Sequence, residues 1–188
     1  ILQDGSSGGI IGRRFADDGS ALYSESVVNS WTSNNQHSPA IASLPQGESI
    51  VVWQSYQQDG STWGVFGQRL DQNGDEVGDE FQVNTKTAGD QSEPDAAMLS
   101  DAGFVVVWQG VGGGPELDIH ARRYGQDNSP AGPEFTVNQF SPADQTIPKV
   151  APIAGGGFVV VWMSQAQDND GSGIFAQRFD QSGGRLYH

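Results

Sequence analysis

The feature that most constrains this chain is an internal repeat of about 55 residues. Arginine recurs at steps of 55, 54 and 55 residues, at Arg14, Arg69, Arg123 and Arg178. Tryptophan recurs at steps of 55 and 54 residues, at Trp53, Trp108 and Trp162. A period of this length predicts an array of supersecondary units, in which each unit buries its apolar surface against its neighbours.

Each repeat contains four short segments rich in β-branched and aromatic residues, a composition that predicts β-strands. The segments are typified by Glu80-Phe81-Gln82-Val83-Asn84, a Gln-x-x-Pro signal at Gln91 and Pro94, Phe104-Val105-Val106-Val107-Trp108, and Gly64-Val65-Phe66-Gly67-Gln68-Arg69-Leu70. The third segment is apolar at both alternating positions, so we expect it to lie between two packed layers. The repeated arginine is expected to donate to internal acceptors, because its guanidinium presents five fixed donors.

Four strands joined by short turns, in a chain with 26 Gly and 9 Pro, predict an all-β fold. We expect tandem four-stranded antiparallel units that resemble β-propeller blades. The boundaries are a trailing strand of a preceding unit (1–16) and repeats 17–71, 72–125 and 126–188. The resulting thirteen strands do not make a closed ring, so the array is expected to be open or closed by oligomerisation. Because the chain starts at Ile1 inside a repeat motif, we expect a processed product or a piece of a longer protein.

The composition excludes several classes of function. The net charge is −14, from 23 acidic and 9 basic residues, which disfavours binding to nucleic acid or to anionic membranes. No stretch approaches the roughly 20 apolar residues of a membrane span, so membrane insertion is not expected. The absence of cysteine excludes a disulfide framework.

The segments Val83-Asn84, Gln91 with Pro94, Gly103 to Trp108 and Gly67-Gln68-Arg69 resemble a tandem repeat of very large secreted bacterial proteins. Proteins of that kind carry RTX-type calcium-binding nonapeptides or adhesin modules. The resemblance covers nearly the whole chain and implies an extracellular or cell-surface location. It supplies no catalytic residues, and the Gly-Gly-x-Gly-x-Asp nonapeptide itself is absent from this sequence.

Three residues that are not shared by all repeats are candidates for ligand binding. Trp63 and Trp31 each occur in one repeat only, and Asp59 lies in the loop before Trp63. Aromatic rings suit the C–H surfaces of sugars, so the candidate ligand is a glycan or a cell-surface partner. Isolated exposed aromatics are also common on protein surfaces, and that reading remains open.

Two acidic loops are candidates for calcium, the one cofactor that the sequence indicates. Asp168 and Asp170 precede Gly171, and Asp71, Asn73 and Asp75 surround Gly74. Calcium takes six to eight oxygen ligands, which such loops provide through carboxylates, amides and carbonyls. Asp and Gly are equally the residues of tight turns, so plain turns are the alternative.

The sequence contains no recognisable catalytic set. His37, His120 and His188 are scattered without ligand spacing, and no Gly-x-Ser-x-Gly elbow occurs. We therefore expect a protein that is not an enzyme, namely an extracellular repeat module for adhesion or ligand binding. The alternative is a structural subunit of a surface layer or filament, assembled from copies of itself through its repeats.

Overall fold

The computed structural model describes residues 5 and 8–187, and every element in that part of the chain is a β-strand. The strands are β1 (Ile11–Gly12), β2 (Ser26–Val27), β3 (Gln36–Ser43), β4 (Ser49–Tyr56), β5 (Trp63–Leu70), β6 (Glu76–Gln82), β7 (Gln91–Met98), β8 (Phe104–Val111), β9 (Leu117–Tyr124), β10 (Phe135–Thr136), β11 (Gln145–Pro152), β12 (Phe158–Gln165), β13 (Ser172–Phe179) and β14 (Arg185–Leu186). Within the described residues, no helix is long and apolar enough to span a bilayer.

The strands form three four-stranded sheets and one two-stranded sheet. The first sheet has the order β3-β4-β5-β6, the second β7-β8-β9-β10 and the third β11-β12-β13-β14, while β1 pairs with β2. Each pairing is antiparallel, because short turns return the chain beside the strand that it has just left. The prediction of an all-β fold with four-stranded antiparallel units is confirmed.

The sheets are offset from the sequence repeats. Phe81 pairs with Gly67 and Phe135 pairs with Ala121, so the first segment of each repeat completes the sheet of the repeat before it. The sheets therefore run over 36–82, 91–136 and 145–186, which corrects our grouping of the four segments. Of the trailing segment 1–16, residues 1–4 and 6–7 lie outside the described residues, as does residue 188. The described strands number fourteen rather than thirteen because β14 adds an outer strand to the third sheet.

Strand β8 lies between two packed layers, as its apolar pattern predicts. Every residue from Phe104 to Trp108 is 0% exposed. Phe104, Val106 and Trp108 pack against the first sheet, whereas Val105 and Val107 pack against the third. Burying one large side chain contributes about 1.5–3 kcal/mol, so these two apolar interfaces dominate the stability of the array.

Two of the repeated arginines, Arg14 and Arg69, each tie their own sheet to a turn of the next one. Arg69 is 4% exposed and donates through Nη1 to the carbonyl of Gln126 (2.5 Å). Its Nη2 donates to Glu48 Oε2 at 2.6 Å and to the carbonyl of Ala102 at 3.4 Å. Arg14 donates in the same way to the carbonyl of Gln72. The expectation of an internally bonded guanidinium is confirmed at Arg69.

The two-stranded sheet covers only part of the first sheet. Ile10 and Val28 pack with Val51 and Trp53 in a small core. Beside that core lies a cavity of about 990 Å³, lined by β1, β2 and the exposed face of β3, including Ile41. Ile41 is 65% exposed, so the face of the first sheet is open to solvent at this position of β3.

Candidate functional site

The loops at one end of the sheets gather the residues that differ most between repeats. Since antiparallel strands reverse direction, the loops 57–62, 112–116 and 166–171 all lie at the same end, which we call the upper end. The segments that connect successive sheets also pass there. Leu117 N, for example, donates to Asp144 Oδ1 at 3.0 Å.

Three aromatic side chains meet at the upper end of the first sheet. Trp63 is paired with Tyr56 across β4 and β5, and their ring centroids lie 5.0 Å apart. The imidazole of His37 meets the Trp63 indole edge-on, with centroids 4.4 Å apart. Such tilted contacts satisfy the ring quadrupoles and hold the indole in place. Trp63 remains half-buried, and His37 is exposed.

A polar bulge adjoins this aromatic group. Strand β7 has a register shift between Ser92 and Asp95, where Glu93 adopts φ 51° before a proline. A positive φ in a non-glycine residue is costly and persists only where the surroundings fix it. Here Gln54 Oε1 accepts the Glu93 N–H at 2.9 Å, and the other end of the Gln54 amide lies 3.5 Å from His37 Nε2. One glutamine therefore links the backbone of Glu93, an exposed residue, to the aromatic group.

We call these five residues the Trp63 site; they are His37, Gln54, Tyr56, Trp63 and Glu93. The bulge itself belongs to the repeat, because Ile147 adopts φ 54° and donates its N–H to Gln109 Oε1 at 2.9 Å. Gln54 belongs to the repeat as well, because Gln109 takes its place in the second sheet and makes that same contact. The other four side chains of the site do not belong to the repeat. In the second sheet their places are taken by Ser92, Val111, Leu117 and Ile147.

The structure separates the three residues predicted to bind a ligand. Trp63 is part of the site, and Trp31 lies at the upper end with 39% of its surface exposed. Asp59 stabilises its own turn, because its Oδ1 accepts Ser61 N at 3.0 Å and its Oδ2 accepts Asn84 Nδ2 at 3.3 Å. Asp59 is thus committed to internal hydrogen bonds in this structure.

Sequence reasoning missed His37, Gln54 and Glu93. The signal was available, because His37 and Glu93 occupy the two variable positions of the Gln-x-x-Pro segment in successive repeats. The sequence did not indicate that Gln54, which follows the repeated Trp53, would contact the bulge of the following sheet.

The residues predicted to bind calcium lie at opposite ends of the sheets. Asp168 and Asp170 belong to an upper loop, where Asp168 Oδ1 accepts the N–H of Asp170 at 3.2 Å. Asp71, Asn73 and Asp75 form a lower turn, in which Asp71 Oδ1 accepts Asn73 N at 2.7 Å and Asp75 N at 2.9 Å. The hydrogen bond from the Asp75 N–H is the main cause that lowers the pKa of Asp71.

In the described part of the chain, no three His, Asp or Glu side chains are grouped as a metal site would require. The calcium assignment therefore stays a prediction. The two loops cannot share an ion, since they occupy opposite ends of the array.

No family model and no curated protein matches the chain. Among solved structures, it is similar to an endo-arabinase from Bacteroides thetaiotaomicron, with a TM-score of 0.51 and 12% identity over 92% of this chain and 63% of that one. It is also similar to an α-L-arabinofuranosidase from Lactobacillus brevis, with a TM-score of 0.53 and 8% identity over 93% of this chain and 68% of that one. An endo-1,4-β-xylanase from Bacteroides thetaiotaomicron gives a TM-score of 0.51 and 6% identity over 89% of this chain and 63% of that one.

At these identities the likeness concerns the fold. It confirms the prediction of units that resemble β-propeller blades. The chain spans roughly two thirds of the length of these neighbours, namely 63% of the endo-arabinase and 68% of the α-L-arabinofuranosidase.

The expectation that the protein is not an enzyme is wrong, because the fold does not exclude enzymes. It depended on the lack of a local catalytic motif, yet the structures with this fold include an arabinase, an arabinofuranosidase and a xylanase. In a propeller-like array, residues distant in sequence meet at one end of the sheets, so a local motif is not required.

Proposed function

We propose that this chain binds carbohydrate at the Trp63 site. The observation that carries the proposal is the contact of Trp63 with His37 and Tyr56, at 4.4 and 5.0 Å between ring centroids, beside the bulge that carries the exposed residue Glu93. Sugars present C–H faces and hydroxyl edges, and this site combines an aromatic edge with two exposed polar residues, His37 and Glu93. Binding sites generally combine apolar rings with a few fixed polar groups in this way.

The fixed geometry of the site supports the proposal. The Gln54 amide holds the Glu93 backbone at 2.9 Å, so little conformational freedom of the bulge is left to be lost on binding. The fold also supports it, because the similar structures include enzymes named for arabinose- and xylose-containing polymers.

Glycan binding is a step common to a lectin and to a glycoside hydrolase, so the experiment must measure both binding and hydrolysis. Glu93 is the carboxylate that the Trp63 site offers. Hydrolysis by the usual mechanism needs two carboxyl groups about 5 to 9.5 Å apart. A hydrolytic activity that is lost in Glu93→Gln would identify Glu93 as one of them.

The test is calorimetric titration of the protein with neutral arabino- and xylo-oligosaccharides, with the products analysed after long incubation. Trp63→Leu introduces the residue found at the equivalent position of the second sheet, so the fold is expected to tolerate it. We expect at least a tenfold loss of affinity in Trp63→Leu. Trp31→Leu is the matched control, and its affinity should stay within twofold of the original. Equal losses in the two variants, or no binding by the original protein, would overturn the proposal.

An extracellular or cell-surface location accompanies this proposal. The absence of cysteine and the net charge of −14 suit a protein that stays dispersed outside the cell without disulfides. Fractionation of the producing cells with an antibody to this chain would test the location.

A second candidate function is assembly with copies of the same chain, and one specific observation favours it. Ile174 of the third sheet is 76% exposed, whereas its equivalents Val65 and Ile119 are 0% exposed beneath the following sheet. The third sheet therefore presents an apolar face of the kind that the array elsewhere covers. Analytical sedimentation of the original protein and of Ile174→Asp tests this candidate. Self-assembly requires that the sedimenting mass of the original protein increases with its concentration, and that Ile174→Asp reduces this increase.

A further inference from the structure

A second cavity, of about 320 Å³, lies beside the second sheet, next to the segment that connects it to the first sheet. It is bounded by the connecting segment after β6, which holds Lys86, and by the outer strands of the second sheet. Strand β9 contributes His120 and Arg122, and Glu134 directly precedes β10. We call this cavity the second-sheet pocket. Three basic side chains in one pocket are unusual here, because the whole chain has only 9 Lys and Arg and a net charge of −14.

The basic residues of the pocket are peculiar to the second sheet. His120 is paired with Trp108, and the equivalent partners of Trp53 and Trp162 are Phe66 and Phe175. The place of Arg122 is taken by Gln68 and Gln177 in the other sheets. Two sheets form the same strand pairings without these charges, so the fold does not require them.

Arg122 has donor capacity that the protein leaves unused. Its Nη1 donates to the carbonyl of Val83 at 3.0 Å, and its guanidinium lies over the ring of Tyr124 at 5.5 Å. Its Nε is buried and makes no hydrogen bond among the described residues. Tyr124 cannot neutralise the charge, since burial raises the pKa of its hydroxyl to about 12 and the hydroxyl itself donates to Val83. A buried donor without an acceptor requires an explanation.

His120 is likewise incompletely satisfied. It is 1% exposed, and its Nε2 lies 3.3 Å from the carbonyl of Gly110, which can only accept a hydrogen bond. In the neutral ring the proton is therefore on Nε2, and Nδ1 faces Glu134 Oε1 at 4.0 Å with a lone pair. Burial is the main cause that lowers the pKa of His120, and Lys86 lowers it further, whereas Glu134, Asp118 and the Gly110 carbonyl raise it.

Glu134 is committed to a structural role. Its Oε2 accepts both the N–H (2.7 Å) and the hydroxyl (2.8 Å) of Thr85. Glu80 makes the equivalent contacts with Ser30 in the preceding repeat, at 2.7 and 3.1 Å. One carboxylate that is fixed in this way faces the two permanent cations Lys86 and Arg122. Among the residues that line the pocket, the two cations therefore exceed the one carboxylate, while Asp118, which also acts on His120, does not line it.

We propose that the second-sheet pocket binds an oxyanion, a carboxylate or sulfate group, with Arg122 as its main hydrogen-bond donor. A guanidinium fork matches the planar geometry of a carboxylate and the edge of a sulfate. The anion would occupy space that carries surplus positive charge, and Lys86 at the mouth would add attraction. A bound anion would also favour the protonated imidazole of His120, because a nearby negative charge stabilises the cationic ring. This site is distinct from the Trp63 site and does not depend on its function.

The experiment follows the imidazole protons of His120 by NMR during titrations at constant ionic strength. One arm uses sodium sulfate and the other an oligosaccharide of galacturonic acid. We expect a saturable shift of the His120 signals in at least one arm, and a higher pKa of His120 at saturation than in the free protein. Arg122→Gln, which restores the residue of the other two sheets, should weaken binding at least tenfold. Arg13→Gln removes the same charge from an exposed position and should change affinity less than twofold.

Each outcome decides a separate point. Saturation by sulfate that Trp63→Leu does not alter supports a site for a free oxyanion. Tighter binding of the acidic oligosaccharide, weakened by both Trp63→Leu and Arg122→Gln, supports an acidic glycan that spans the two sites. Failure of neutral oligosaccharides to bind, with sulfate still binding, would refute the carbohydrate proposal alone. The oxyanion proposal is overturned if no His120 shift saturates, or if Arg122→Gln and Arg13→Gln have equal effects.

Discussion

The first and second sheets share one framework but present different chemistry at matching positions. In both sheets an asparagine oxygen accepts a strand N–H: Asn84 Oδ1 from Val65 at 2.8 Å and Asn138 Oδ1 from Ile119 at 2.8 Å. Where the first sheet has Trp63, however, the second has Leu117. Residues that repeat are thus mostly framework, and residues that differ between copies are the better candidates for function.

A comparison of the first and third sheets shows what a neighbouring sheet contributes. Arg69 is buried because the following sheet supplies the carbonyls of Ala102 and Gln126. Arg178 occupies the same position in the third sheet and is exposed. The same residue in the same strand therefore has a different environment, which depends on packing between units.

The largest expected effect concerns the shared framework. Trp108→Ala should lower the free energy of unfolding by about 3–5 kcal/mol, because it removes a large side chain that is 0% exposed. Denaturant unfolding followed by circular dichroism measures this change. A loss below about 1 kcal/mol would show that β8 is not central to the fold, against its burial on both faces.

Calcium binding would distinguish the upper loop of the third sheet from that of the second. The second has Gly112-Gly113-Gly114, where the third has Asp168 and Asp170. A cation that binds only the folded chain would stabilise it by about 2.7 kcal/mol at a hundredfold excess over its dissociation constant. Thermal melts with calcium and then with chelator should differ, and Asp168→Ala should remove the difference. An unchanged melting temperature with chelator would show that these loops are turns without metal.

Arginine substitutions test the dependence on a neighbouring sheet. Arg69→Lys should cost about 1–3 kcal/mol, because an ammonium cannot satisfy the carbonyls of Gln126 and Ala102 and the carboxylate of Glu48 together. Arg178→Lys is the matched control at an exposed position and should cost less than about 0.5 kcal/mol. Equal costs for the two substitutions in denaturant unfolding would contradict a specific role for the packed neighbour.

The smallest expected effect distinguishes two tryptophans of identical burial. Trp108 Nε1 donates to Gln91 Oε1 at 2.9 Å, whereas Trp53 Nε1 has no hydrogen-bond partner among the described residues. Both side chains are 0% exposed. Trp108→Phe should therefore destabilise the protein more than Trp53→Phe, by about 1 kcal/mol, since only the former breaks a hydrogen bond. Equal melting temperatures of the two variants would remove this distinction.

Much of the fold could be predicted from the sequence because the repeat states the same pattern three times. Alternation of apolar residues along Phe104 to Trp108 identified a strand that is buried on both faces, and burial confirms it. The Gln-x-x-Pro signal predicted the position of a strand. It did not predict the bulge in that strand, where Ser38, Glu93 and Ile147 adopt a positive φ. Local patterns report which face of a strand is apolar, and this information is contained in neighbouring residues.

The all-β class, the period of the units and the position of the buried strands could all be predicted from the amino-acid sequence, since each follows from residue types within a few positions of one another. The packed sheets were needed to show that the first segment of each repeat completes the preceding sheet. The packing also placed Gln54 against Glu93, 39 residues away, and assembled the second-sheet pocket from the second sheet and the segment that precedes it. Contacts of this kind depend on how segments that are distant in the sequence pack against one another. No local pattern of residues encodes which of these segments meet.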